Sequence, residues 1–72
     1  MTKYWANAIA INQIGKPTRL FTYNALTSIE ECDKVFISWG GKHYGYTLLI
    51  TWIDAIYDCG SRKMIHKKEY VN

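Results

Sequence analysis

"LTSIEECDKVFISWGG", residues 26–41, is where the hydrophobic pattern of this 72-residue chain changes period. Ile29, Cys32, Phe36 and Trp39 recur at steps of three, four and three, which is one stripe of an α-helix. Val35 widens that stripe. Thr27 and Glu30 have the spacing of a capping box, in which the hydroxyl accepts from the third helical N–H and the carboxylate reaches back. Glu30, Glu31 and Asp33 fall in the first turns, where the helix dipole favours negative charge. Gly40 and Gly41 supply a stop.

On both sides of this segment the period is two. In "KYWANAIAINQ", residues 3–13, Trp5, Ile9 and Ile11 point one way and Ala6, Ala8 and Ala10 the other, as in a strand. The alanines suit a face that another element approaches closely. "IGKP", residues 14–17, marks a reversal, and "TRLFTYN", residues 18–24, is rich in β-formers and reads as the partner strand. "YTLLITWIDAIYD", residues 46–58, is apolar on both sides. That predicts a central strand with a bulge near Asp54. "DCGSR" is a turn, and "KMIHKKEYV" closes a second hairpin. The order is β-β-α-β-β: an α+β fold over residues 1–72 as a single domain, with one helix packed on a mainly antiparallel four-stranded sheet. One helix cannot cover both faces of such a sheet. The other face must be solvated or must bind something.

Composition narrows the class. Aromatic residues make up 15% and charged residues 21%, which argues against disorder. No apolar run approaches the ~20 residues of a membrane helix. "MTKYWANAIAINQ" does not have the form of a secretory signal, so a cytoplasmic protein is expected. Cys32 and Cys59 are expected as free thiols. Together with His43 and His66 they match no usual zinc spacing, so neither metal nor other cofactor is expected. Five cations and five anions cancel through Gly60, and the net charge of +3 resides in the last twelve residues.

No residues form a catalytic motif, and no enzyme is expected. "SWGGKHYG" carries Lys42 among glycines but follows a helix, whereas a phosphate cradle opens one. Phe36, Trp39, Trp5 and Phe21 are read as core. The candidate contact residues are Tyr44, Tyr46, Trp52 and Tyr57, with Arg62, Lys63, His66, Lys67 and Lys68 of the last strand. Trp52 and Tyr57 point to opposite faces of a regular strand, so one of them lies on the side without the helix. By simple alternation Arg62, Met64, His66, Lys68 and Tyr70 share one face of the last strand, and Lys63, Ile65, Lys67 and Glu69 the other. Cations on both sides of a terminal strand protect its edge.

The compact hairpin-helix-hairpin order, the "LTSIEECDKVFISW" helix and the aromatic "YGYTLLITWID" strand resemble small single-domain proteins of phages and mobile elements, including inhibitors of the anti-CRISPR type. The resemblance implies a non-enzymatic inhibitor that occupies a surface of a host defence or nucleic-acid-handling complex. It carries over no catalytic residue. Inhibitors of that type that imitate DNA are strongly acidic, and this chain is basic. It would instead have to bind a nucleic acid, or an acidic or apolar protein patch. Of these a protein partner is the first expectation, with no membrane, and a homodimer is left open. The alternative is direct nucleic-acid binding through the basic hairpin and the sheet aromatics.

Overall fold

The computed structural model describes residues 1–40 and 46–71. It has strands β1 (Lys3–Asn12) and β2 (Pro17–Leu26), helix α1 (Ile29–Gly40), and strands β3 (Tyr46–Ile56) and β4 (Arg62–Val71). All neighbours are antiparallel, in the order β2-β1-β3-β4. This is the expected α+β arrangement, with β1 and β3 central and β2 and β4 at the edges. β2 and β3 both run against β1, and α1 carries the chain from one to the other across one face.

The two hairpins close by the same device. In the first, Gly15 N–H donates to Asn12 C=O, and Asn12 N–H donates to Lys16 C=O. In the second, Gly60 N–H donates to Tyr57 C=O, and Tyr57 N–H donates to Ser61 C=O. Gly15 and Gly60 have φ of 83° and 88°, left-handed values that need glycine here. The Asn12 side chain also accepts from the N–H groups of Ile14 and Lys16, which fixes the first turn.

The core lies between α1 and one sheet face. Ala6, Ala8 and Ala10 of β1 are fully buried, and so are Leu49, Thr51 and Ile53 of β3. With only methyl groups along β1, the helix can settle close enough for Cys32 and Phe36 to be fully buried as well. Trp39 extends the core to β2, where its ring stacks on Phe21 with centroids 5.2 Å apart. Thr51 is a buried polar residue whose hydroxyl donates to Lys68 C=O at 2.9 Å, so no orphan group remains there. Ile29 is only marginal to the stripe, at 37% exposure.

The helix starts one residue later than the Thr27 box implies. Ser28 is the cap: its hydroxyl accepts from Glu31 N–H at 3.1 Å. Glu31, not Glu30, reaches back, to Thr27 N–H at 3.1 Å and the Thr27 hydroxyl at 2.8 Å. The hydrogen bond from the Thr27 backbone, then that from its hydroxyl, holds the Glu31 carboxyl below its usual range. At the other end, helix α1 runs through Gly40. Gly41 lies outside the described residues.

One further expectation is corrected. β3 pairs with β1 without interruption from Leu48 to Ile56, so there is no bulge at Asp54. β3 has its one extra residue at its start, Thr47, between the Ile11–Leu48 and Asn12–Tyr46 pairs, and the other bulges are on the edge strands. In β4, His66 and Lys67 together oppose Trp52, and His66 has φ of 52°. In β2, Asn24 and Ala25 together oppose Trp5, and Ala25 has φ of 60°. Each edge strand thus takes an extra residue where a central strand presents a Trp.

A candidate binding face opposite the helix

Strand register places every side chain. Ala6, Ala8 and Ala10 are under the helix, so Trp5, Asn7, Ile9 and Ile11 of β1 point the other way. From β3 they are joined by Leu48, Ile50, Trp52, Asp54 and Ile56. Across the sheet, Ile9 sits between Leu20 and Ile50, and Leu48 between Ile11 and Val71. The result is a continuous apolar patch built round Ile9, Ile11, Leu48, Ile50 and Trp52. At its margins Leu20 is 65% exposed, Met64 60% and Val71 81%. No described element covers this face.

One end of the face is polar and tied. The Thr22 hydroxyl donates to Asn7 Oδ1 at 3.3 Å. Asn7 Nδ2 donates to Asp54 Oδ2 at 3.2 Å, and the same oxygen lies 3.5 Å from Arg62 Nε. The Arg62 guanidinium sits over the Trp5 ring, 4.5 Å from its centroid. This chain of contacts crosses all four strands. It also corrects the reading of Trp5 as core, because Trp5 lies half-buried on the open face beneath Arg62.

The bulge at His66 corrects the facing of β4. Ala55 pairs with Lys63, Ile53 with Ile65, Thr51 with Lys68 and Leu49 with Tyr70, so these four β4 residues lie on the helix side. Arg62, Met64, Glu69 and Val71 lie on the open side. Simple alternation put Arg62 and Lys68 together, but the extra residue reverses the phase between them. His66 is drawn toward α1, with Nε2 3.3 Å from Asp33 Oδ1, a buried oxygen that accepts no aligned hydrogen bond. Lys68 Nζ is 5.0 Å from the Tyr70 ring centroid. A shallow open depression lies beside Lys67, Lys68 and Glu69.

The sequence-derived contact residues therefore separate. Trp52 is on the open face, half-buried within the patch, and Tyr57 is exposed at the end of β3. Arg62 is at the rim of the patch, held by Asp54 and Trp5. Lys63, Lys68 and His66 are exposed but belong to the helix side, and Lys67 is exposed at the outer edge of the open face opposite Trp52. Tyr46 is corrected: it is 8% exposed and packs with Ala8, Ala10, Leu49 and Phe21 in the core. Tyr44 lies outside the described residues. Sequence reading missed Ile9, Ile11, Leu48 and Ile50 as site residues. Their signal was present in the double-sided apolar pattern of β3 and the large residues alternating with alanine in β1.

Among the described residues there is no group of three or more His, Cys, Asp or Glu that could hold a metal ion. Nor is any described helix long and apolar enough to cross a membrane. Cys32 is buried and Cys59 exposed, both free thiols. Burial, then Asp33 and Glu31, pushes the Cys32 thiol up to about 11. Hydrogen bonds from the Ser61 side chain and backbone lower that of Cys59. No family model, curated protein or solved structure matches the chain.

Proposed function

We propose that this chain is a non-enzymatic binding protein that docks the sheet face opposite α1 onto an apolar surface of a protein partner. The partner fits the class implied by the sequence resemblance, a host defence or nucleic-acid-handling complex, which the chain inhibits by occupying its surface. The observation that carries the reading is the contiguous Ile9, Ile11, Leu48, Ile50 and Trp52 patch with its polar rim. Patches of this kind mark interaction sites, and their anchors are commonly Trp and Arg. Charge argues for protein over nucleic acid at this face. Its strand residues carry three cations, Lys3, Arg62 and Lys67, against two anions, Asp54 and Glu69, and Arg62 is engaged by Asp54. A face so nearly balanced exerts little net pull on a polyanion.

The test is affinity capture from host extract, with and without nuclease, using the wild-type chain and Ile50→Lys. The expected result is a defined protein partner that survives nuclease and is lost with Ile50→Lys while circular dichroism stays native. Capture unchanged by the substitution would remove the open face from the reading.

Nucleic-acid binding retains one supporting observation, the exposed Lys63, Lys67 and Lys68 of β4. With Arg62 engaged by Asp54, three cations remain free to meet phosphates. The slope of log affinity against log salt on duplex DNA would then be about −2.7, which is weak.

A further inference from the structure

The two sheet edges are protected very differently. β4 carries Arg62, Lys63, Lys67 and Lys68 in ten residues, and its bulge falls in mid-strand. Charge and a bulge are the usual means of keeping an edge from pairing with another chain. β2 is also ten residues long, but Arg19 is its only charge. Its irregularities fall near its ends, at Thr18 and at Asn24–Ala25. Between them Arg19–Tyr23 is a regular five-residue run, paired with Ala10–Ala6 on one side only. Five residues is an ordinary strand length. The outward N–H and C=O groups of this run meet no described strand, and Leu20 and Tyr23 are largely exposed beside them.

We infer that β2 is an interface, and that its occupant is β2 of a second copy of this chain, paired antiparallel in one continuous eight-stranded sheet. The symmetry allows it. Antiparallel pairing of identical edges needs a two-fold axis normal to the sheet, and that axis keeps each side chain on its own face. The axis must therefore pass at a residue that opposes itself. Centred on Phe21, the register sets Leu20 against Thr22 and Arg19 against Tyr23 of the second copy. Centred on Thr22, it sets Phe21 against Tyr23 and Arg19 against Ala25. Either way the single cation meets an aromatic or a methyl group, never its own counterpart, and aromatic cross-strand pairs form on the helix side. A β4–β4 pairing centred on Lys67 would oppose two lysines at the axis, and its bulge breaks the ladder there. Charge thus selects which edge associates, and closure at a two-fold leaves the guarded β4 at both outer ends of the joined sheet.

This inference is independent of what the open face binds. Its test combines mass and exchange. Light scattering or sedimentation from low micromolar to millimolar concentration is expected to pass from 8.4 kDa toward twice that mass. Hydrogen exchange across the same range should slow at amides within residues 19–23 and not within 62–71. Tyr23→Lys, at an exposed edge position on the helix side, should weaken the dimer by about tenfold or more without altering circular dichroism. Ile50→Lys, central on the open face, should leave it intact. The inference is overturned by a monomer at every concentration, by a dimer whose protection maps to β4, or by a dimer that Ile50→Lys dissolves and Tyr23→Lys does not. Protection of β2 that appears only on adding an unrelated extended peptide also overturns it.

Discussion

The two faces of the sheet are built from the same strands and differ in what covers them. Under α1, β1 presents three alanines and β3 presents Leu49, Thr51, Ile53 and Ala55, all essentially without exposure. On the reverse, the same strands present Ile9, Ile11, Leu48, Ile50 and Trp52, larger side chains left only partly covered. The smaller residues are in the core and the larger ones face outward. A strand serving only stability would be expected to put its bulk where a helix can bury it. The difference shows that the fold rests on Phe36, Cys32 and Trp39 coming down onto a shallow floor. The volume on the other side is surplus to that need.

Substitutions on the two faces should separate stability from binding. Phe36→Ala empties the centre of the covered side and is expected to cost about 3–5 kcal/mol. That is enough to unfold a domain of this size, whose net stability is about 3–5 kcal/mol. Ile50→Ala removes a comparable hydrophobe from the open side and should cost about 1 kcal/mol, since only part of its surface leaves water on folding. Thermal unfolding followed by circular dichroism decides between them. Equal losses would mean that the open face is covered in solution or that the helix packs elsewhere.

A smaller effect sharpens how the covering helix is held. Ser28→Ala removes the cap on Glu31 N–H and should cost about 1 kcal/mol, while Thr27→Ala should cost less because the Thr27 backbone N–H still meets Glu31. The sign with pH follows from the lowered Glu31 value. Its contribution is present above the ordinary carboxylate value of 4.5 and is lost as pH falls through the lower folded value. Acid titration of stability should therefore flatten in Glu31→Gln relative to wild type.

The smallest effect is chemical. A thiol reagent at neutral pH should modify Cys59 at once and Cys32 only as the chain unfolds, giving one fast equivalent and one slow one. The raised Cys32 value has a second reading. The folded state keeps its proton where the unfolded state loses it, so this contribution is complete below the ordinary thiol value of 9.0. It declines as pH rises from there toward about 11. Two fast equivalents would mean that the helix does not seal the covered face.

Much of this architecture is written locally. The 3-4-3 stripe of α1 and the glycines at 15 and 60 act through neighbours in sequence, so their patterns could be read directly. The cap was misplaced by one residue because Thr27–Glu30 and Ser28–Glu31 are overlapping boxes, and spacing alone cannot choose between them. What escaped was set by distant partners. Tyr46 looked like a surface residue because its burial depends on Phe21, twenty-five positions away. Trp5 looked like core because nothing nearby announces Arg62. The facing of β4 was misread because its bulge uses His66 at a left-handed φ, where a glycine would have signalled it. The apolar patch is assembled from pairings across the sheet, and no single strand displays it.

That bulge has a consequence for how this chain can change over generations. Ile53 and Thr51 are separated by one residue in β3, while their partners Ile65 and Lys68 are separated by two in β4. Without His66, β4 would alternate regularly, and Arg62, Met64, Glu69 and Val71 would still face one way and Lys63, Ile65, Lys68 and Tyr70 the other. His66 thus has the position of an inserted residue, and a lineage that lost it would forfeit the approach to Asp33 and little else. In any diverged form of this protein, the junction between Ile65 and Lys67 is where a one-residue gap should first be found.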